Sequence, residues 1–125
     1  MNLDESVLLR YYTAVDAGDL SAALSLVDDS APIAMTLPSG TNRGVGPEGL
    51  RKYLTGRGDI DRRHVPIRVS VGDDVEFIHG SVLENGTTTT GYFLAAVSLT
   101  KAGLIGSYQV IFDTEFSLFP TKDAS

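Results

Sequence analysis

Cysteine is absent from this chain of 125 residues, which excludes disulfide frameworks, thiolate zinc sites and cysteine nucleophiles. The fold must stand on packing alone. Positive charge is scarce: 10 Lys and Arg against 16 Asp and Glu leave a formal net charge of −6. That balance opposes nonspecific attraction to nucleic acid and to anionic membranes, so neither is expected as a partner. Long hydrophobic runs are missing too. The longest uncharged stretch, Asn85 to Thr100, is studded with Thr and Gly and is too short and polar to span a bilayer as a helix. No basic region followed by an apolar run opens the chain, because Asp4 and Glu5 come at once, so a cytoplasmic protein is expected. The length suits one domain, taken as residues 1–120, followed by a polar tail at 121–125.

What is there divides into helices first and strands afterwards. Asn2 and Glu5 have the spacing of a capping box, and Leu3, Val7, Leu8, Tyr11 and Val15 recur at helical intervals until Gly18 stops them. Asp19 can cap a second helix with Leu20, Ala23, Leu24 and Val27 on its apolar side. Pro32 to Leu37 reads as a short strand, Pro38-Ser39-Gly40 as a turn, and Pro47 to Thr55 as a third helix burying Leu50, Tyr53 and Leu54. Arg57 to His64 carries so many charged or titratable residues that it reads as a solvated, mobile segment.

The second half is sheet. Val65, Ile67, Val69 and Val71 alternate with Pro66, Arg68, Ser70 and Gly72, the pattern of a strand with one buried face, and Pro66 suits an edge. Val75 to Leu83, Thr88 to Thr100 and Leu104 to Leu118 follow as a meander turned at Asn85-Gly86 and Lys101-Ala102-Gly103. The predicted class is α+β, with a strongly curved sheet wrapped over the helices to leave a cone-shaped pocket.

The run Tyr11 to Asp19, the stretch Gly44 to Leu54, the Asn85-Gly86 hairpin and the run Gly103 to Asp113 resemble, in order and spacing, the nuclear transport factor 2-like superfamily. That superfamily includes ketosteroid isomerases, SnoaL-like polyketide cyclases and limonene epoxide hydrolases. The resemblance implies a cone with helices over its concave side, a pocket for a small apolar molecule, and a homodimer across the convex side. It does not carry the isomerase chemistry. That chemistry needs an Asp base and an oxyanion hole of Tyr plus a protonated carboxylic acid, and the corresponding regions here read Ile33 to Leu37 and Ala95. Tyr11 lies near the place of the oxyanion tyrosine and is kept as a pocket hydroxyl. The Arg and two Asp of the epoxide hydrolases find no convincing counterpart, Asp113 being the nearest.

Strand parity counted from Asn85-Gly86 puts Glu76, Ile78, Gly80 and Val82 on one face with Gly91, Phe93, Ala95 and Val97, joined by Gly106, Tyr108, Val110 and Phe112. If that face is concave, Glu76 points into an apolar cavity, where desolvation raises a carboxylate's pKa and makes it a candidate general base. The alternative is a strand-end Glu reaching solvent at the rim. Glu76 and Tyr11 are the catalytic candidates, and the ligand-binding set is Tyr11, Tyr53, Leu54, Glu76, Ile78, Phe93, Tyr108 and Phe112. Each tyrosine has plain core packing as its alternative, and Tyr12, one helical step from Tyr11, is expected to point elsewhere. His64 and His79 form no evident metal pair and are read as surface or dimer-face residues. No metal or cofactor is expected. The other parity set, Tyr92, Leu94, Ala96 and Ser98 with Ser107, Gln109 and Ile111, is semi-apolar and suits a sheet-to-sheet homodimer.

Three letter patterns carry less than they suggest. Gly44 to Gly49 fits a dinucleotide-binding pattern, but a loop entering a helix explains it in so short a chain. Arg57-Gly58-Asp59 has no reason to face a receptor, and Asn85-Gly86-Thr87, a glycosylation sequon by letters, already serves as a turn. Two functions remain: cofactor-free acid–base chemistry on a small apolar ligand, as in an isomerase, cyclase or hydrolase, or a non-catalytic dimeric binding or accessory module.

Overall fold

A computed structural model describes residues 6–56 and 61–119. Three helices, α1 (Val7–Asp16), α2 (Leu20–Leu24) and α3 (Gly46–Thr55), accompany six strands: β1 (Pro32–Leu37), β2 (Gly40–Val45), β3 (Arg62–Val71), β4 (Val75–Glu84), β5 (Thr88–Leu99) and β6 (Ile105–Asp113). The strands form one open sheet in the order β2-β1-β6-β5-β4-β3, antiparallel except where β1 runs parallel to β6. The α+β class and the curved mixed sheet are as the sequence predicts. No helix among the described residues is long and apolar enough to cross a membrane.

The proposed capping box falls on Asn2 and Glu5, outside the described residues. The helix begins instead under Ser6, whose hydroxyl accepts from the Leu9 N–H at 3.0 Å. Gly18, at φ 75°, turns the chain out of α1, and the Asp19 carboxylate then accepts from Ala22 N–H at 3.1 Å to start α2. The strand β2 was not expected. Its residues are exposed and polar, with no buried alternation for a pattern to reveal. The third helix forms as read, packed so closely on β2 that a Cβ on Gly44 would meet the Gly49 backbone at 3.1 Å. Those glycines serve strand-helix packing, where the sequence reading has a loop entering a helix.

The hairpin from β4 to β5 sets the faces, and it does so through two irregularities that cancel. Asn85, Gly86 and Thr87 form a three-residue connection, pairing Glu84 with Thr88 and Leu83 with Thr89. A bulge at Thr90 then places Val82 opposite Gly91, so Ile78 faces Ala95 and Glu76 faces Val97. The predicted parity set is therefore the inner one: Glu76, Ile78, Val82, Phe93, Ala95, Val97 and Tyr108 are all buried. The core fills the space between this face and the helices, where Leu8, Leu50, Ile78 and Ile105 have essentially no exposed surface. Truncating one of them to Ala would cost about 2–5 kcal/mol.

Candidate functional site

Between the inner face of the sheet and helices α1 and α3 lies a cavity of about 640 Å³. Met35, Leu37, Val82, Phe93, Val110 and Phe112 supply apolar wall. Sheet curvature leaves this room, and glycines at β4 and β5 let the aromatic rings lie down against the strands. A Cβ at Gly80 would stand 2.8 Å from the Phe93 ring, and one at Gly91 2.5 Å from Phe112. Of the residues assigned to the pocket from sequence, Tyr11, Tyr53, Leu54, Phe93, Tyr108 and Phe112 line it. Ile78 is core beneath it, and Glu76 does not line it.

Glu76 points inward, as its parity requires, but its oxygens are taken. One accepts from the Ser6 hydroxyl at 2.9 Å and from Leu8 N–H at 2.9 Å, and the other from Val7 N–H at 3.2 Å. The two amides are orphan donors of the first turn of α1, and the positive end of the helix dipole adds to them. Burying a carboxylate is tolerated because three donors compensate it. Neither expected role, a base in the cavity or a rim residue in solvent, fits that placement: Glu76 ties β4 to the start of α1.

Tyr12 departs from expectation in the opposite sense. The buried residues of α1 are Val7, Leu8, Tyr11 and Tyr12, a stripe about 140° wide at 100° per residue, so both tyrosines face the sheet. The Tyr12 and Tyr108 hydroxyls share a short hydrogen bond in the cavity wall. Desolvation by burial holds both phenols well above their ordinary pKa, so both remain protonated at neutral pH. One proton is used within the pair, which leaves the other for an acceptor such as a ligand oxygen.

His64, expected at the surface, lines the same cavity from the start of β3. Its backbone N–H donates to Asp16 Oδ2 at 2.7 Å, and its ring Nδ1 lies 2.7 Å from Asp16 Oδ1. Both side chains are largely buried, at 12% and 18% exposure. A carboxylate only accepts, so Nδ1 donates to Asp16, and in the neutral ring Nε2, which has no hydrogen-bond partner among the described residues, is the acceptor. The ring is fixed further by Tyr12, 4.4 Å away between centroids, and by the edge contact with Phe93 at 5.1 Å. An imidazole oriented by a half-buried carboxylate beside phenolic donors is an acid–base arrangement.

The rim is cationic. Arg62 is held by Glu84 at 3.2 Å, while Arg43 from β2 and Lys52 from α3 are exposed and enter no ion pair among the described residues. His79 lies on the other side of the sheet, where Nε2 accepts from Leu118 N–H at 3.1 Å. Asp113, also outside, accepts from the Glu115 and Phe116 amides at 2.8 and 2.6 Å, which hold its carboxyl below the usual pKa and end β6 in a turn. Among the described residues no three His, Asp or Glu gather as metal ligands.

No family model matches the sequence, and no curated protein matches it. Solved structures do. A protein described as NTF2-like and of unknown function from Cytophaga hutchinsonii is 20% identical, with a TM-score of 0.65 over 86% of this chain and 87% of that one. A provisionally named ketosteroid isomerase from Kribbella flavida is 10% identical, with a TM-score of 0.71 over 94% and 82%. TerC, co-crystallised with polyporic acid, is 19% identical, with a TM-score of 0.68 over 86% and 89%. The architecture expected from the resemblance is thus the one found: the chain has the nuclear transport factor 2-like fold.

Proposed function

We propose that the cone is a catalytic pocket for general acid–base chemistry on a small, mostly apolar molecule. The observation that carries this reading is the His64–Asp16 pair, 2.7 Å apart, on the same cavity wall as the Tyr12–Tyr108 hydroxyls. His64 Nε2 takes a proton from carbon or oxygen next to a substrate carbonyl. The electron pair moves onto that oxygen, the free phenolic proton hydrogen-bonds to it, and the imidazolium returns the proton at a second atom. Isomerisation and cyclisation share that first step; in hydrolysis the same nitrogen takes its proton from an attacking water, and the oxygen of the resulting tetrahedral adduct meets the phenol. Tyr11 stays as wall and as packing partner of Tyr108, their centroids 5.5 Å apart. The polyporic acid ligand of TerC supports a small-molecule pocket in this fold.

Deuterium exchange at the acidic C–H of 2-tetralone, followed by NMR, tests the base. The native chain should exceed buffer, and His64→Gln should lower the excess by a factor on the order of 10² to 10⁴. Binding of 2-tetralone without exchange in either protein would assign the cone to the non-catalytic, ligand-holding alternative.

We infer also that the convex face forms a homodimer. Phe77, Leu94 and Ile111, on three adjacent strands, are 44%, 42% and 44% exposed, which is more apolar surface than a solvent-facing sheet usually shows. Sedimentation at micromolar concentration should find two chains together, and a monomer there would end this inference.

A further inference from the structure

The chain is acidic, yet the cavity wall has the opposite sign. Arg43, Lys52 and Arg62 line it, with Glu84 as the one carboxylate among its described lining residues. Glu84 is engaged by Arg62, and Asp16 is engaged by His64 behind the wall, so two cations have no counterion among the described residues. They come from separate elements, β2 and α3, whose packing brings them to one opening. Elsewhere on helix α3 Arg51 has its own partner, Glu48, at 3.2 Å. Two unpaired cations at the mouth of a low-dielectric cleft focus its field outward and draw in negative charge, even against a net charge of −6.

We propose that the molecule this cavity takes is an organic anion: a largely apolar, unsaturated body with one carboxylate-type group, which Arg43 and Lys52 hold at the mouth. The body then lies along Phe93 and Phe112 with its reacting carbonyl toward Tyr12 and Tyr108. Anchoring one end at the rim fixes which atom meets His64, so the cations act as positioning and specificity residues. This deepens the catalytic reading and rests on its cavity, though not on its base.

Two dyes of nearly the same shape test it: 8-anilinonaphthalene-1-sulfonate, an anion, and N-phenyl-1-naphthylamine, its uncharged relative, both titrated by fluorescence. The double variant Arg43→Gln/Lys52→Gln should bind the sulfonate about tenfold more weakly and the neutral dye within about twofold of native. Raising the salt concentration should weaken only the sulfonate. Val110→Trp, or Leu37→Trp where the first does not fold, should exclude both dyes from the cavity. Equal response of the two dyes to charge removal overturns the proposal, as does undiminished binding to a folded cavity-filled variant. Exchange lost in His64→Gln with no anion preference would sink this inference and leave the acid–base reading standing. Anion preference without exchange would do the reverse.

Discussion

Helix α1 has a carboxylate withdrawn from solvent at each end, and the two ends behave differently. At its start, Glu76 is 1% exposed and surrounded by three donors that belong to the backbone and to Ser6. At its finish, Asp16 belongs to the helix itself and reaches across to His64, whose ring lines the cavity and whose other nitrogen has no partner among the described residues. The first carboxylate has spent its hydrogen-bonding capacity on the fold. The second spends its own on orienting another group, and that group remains available. Burial and inward direction alone therefore do not identify a catalytic acid; an unsatisfied atom facing open volume does.

The sharpest way to separate the two ends is to remove each in turn. Glu76→Ala strands two backbone donors and a hydroxyl in the interior, and should lower unfolding stability by about 3 kcal/mol in a denaturant titration, with the per-molecule exchange rate of the folded fraction unchanged. Asp16→Asn should cost less stability, within about 1 kcal/mol, yet slow exchange by about tenfold or more, because the amide no longer holds the Nδ1–H tautomer. Nitrogen-15 NMR of His64 should show mixed tautomers in that variant. If Glu76→Ala abolished exchange at unchanged stability, the assignments would be the wrong way round.

The smallest effect lies between the two ends, in the Tyr12–Tyr108 pair. Both phenols are raised by burial, so the folded chain retains protons that the unfolded chain gives up near pH 10. Their contribution to stability is therefore complete below that pH and is lost as pH climbs through the folded values. In an alkaline titration at 295 nm, two of the five tyrosines should ionise only together with the loss of the circular dichroism signal. All five titrating in the folded protein would contradict the burial that holds this hydroxyl pair protonated.

How much could be read in advance followed the range of the interactions. The inner face of β4, β5 and β6 was legible because alternation is local and the turn residues announced themselves. Tyr12 escapes a pattern reading because a narrow helical stripe excludes adjacent residues, whereas α1 is sunk deeply enough to bury both Tyr11 and Tyr12. The role of Glu76 was hidden because its donors sit about 70 positions away, at Ser6, Val7 and Leu8. His64 was obscured by the charged run around it; a strand whose first residues are arginines looks like loop, and the partner lies 48 positions earlier. A clue did exist in the parity of β3, where His64 shares the alternation of the half-buried positions nearer its start. The polar strand β2, source of Arg43, left no pattern at all.

The paired irregularities in the β4–β5 hairpin have a lasting consequence for how this protein can change. Inside and outside on β5 are decided by whether a residue count is odd or even, and the connection and the kink at Thr90 each flip that count once. A lone insertion or deletion between Val82 and Gly91 would turn Phe93 outward and bring Leu94 into the hollow. Descendants of this chain can lengthen or trim that corner only in compensated steps, and the tolerated variants should therefore differ there by two residues at a time.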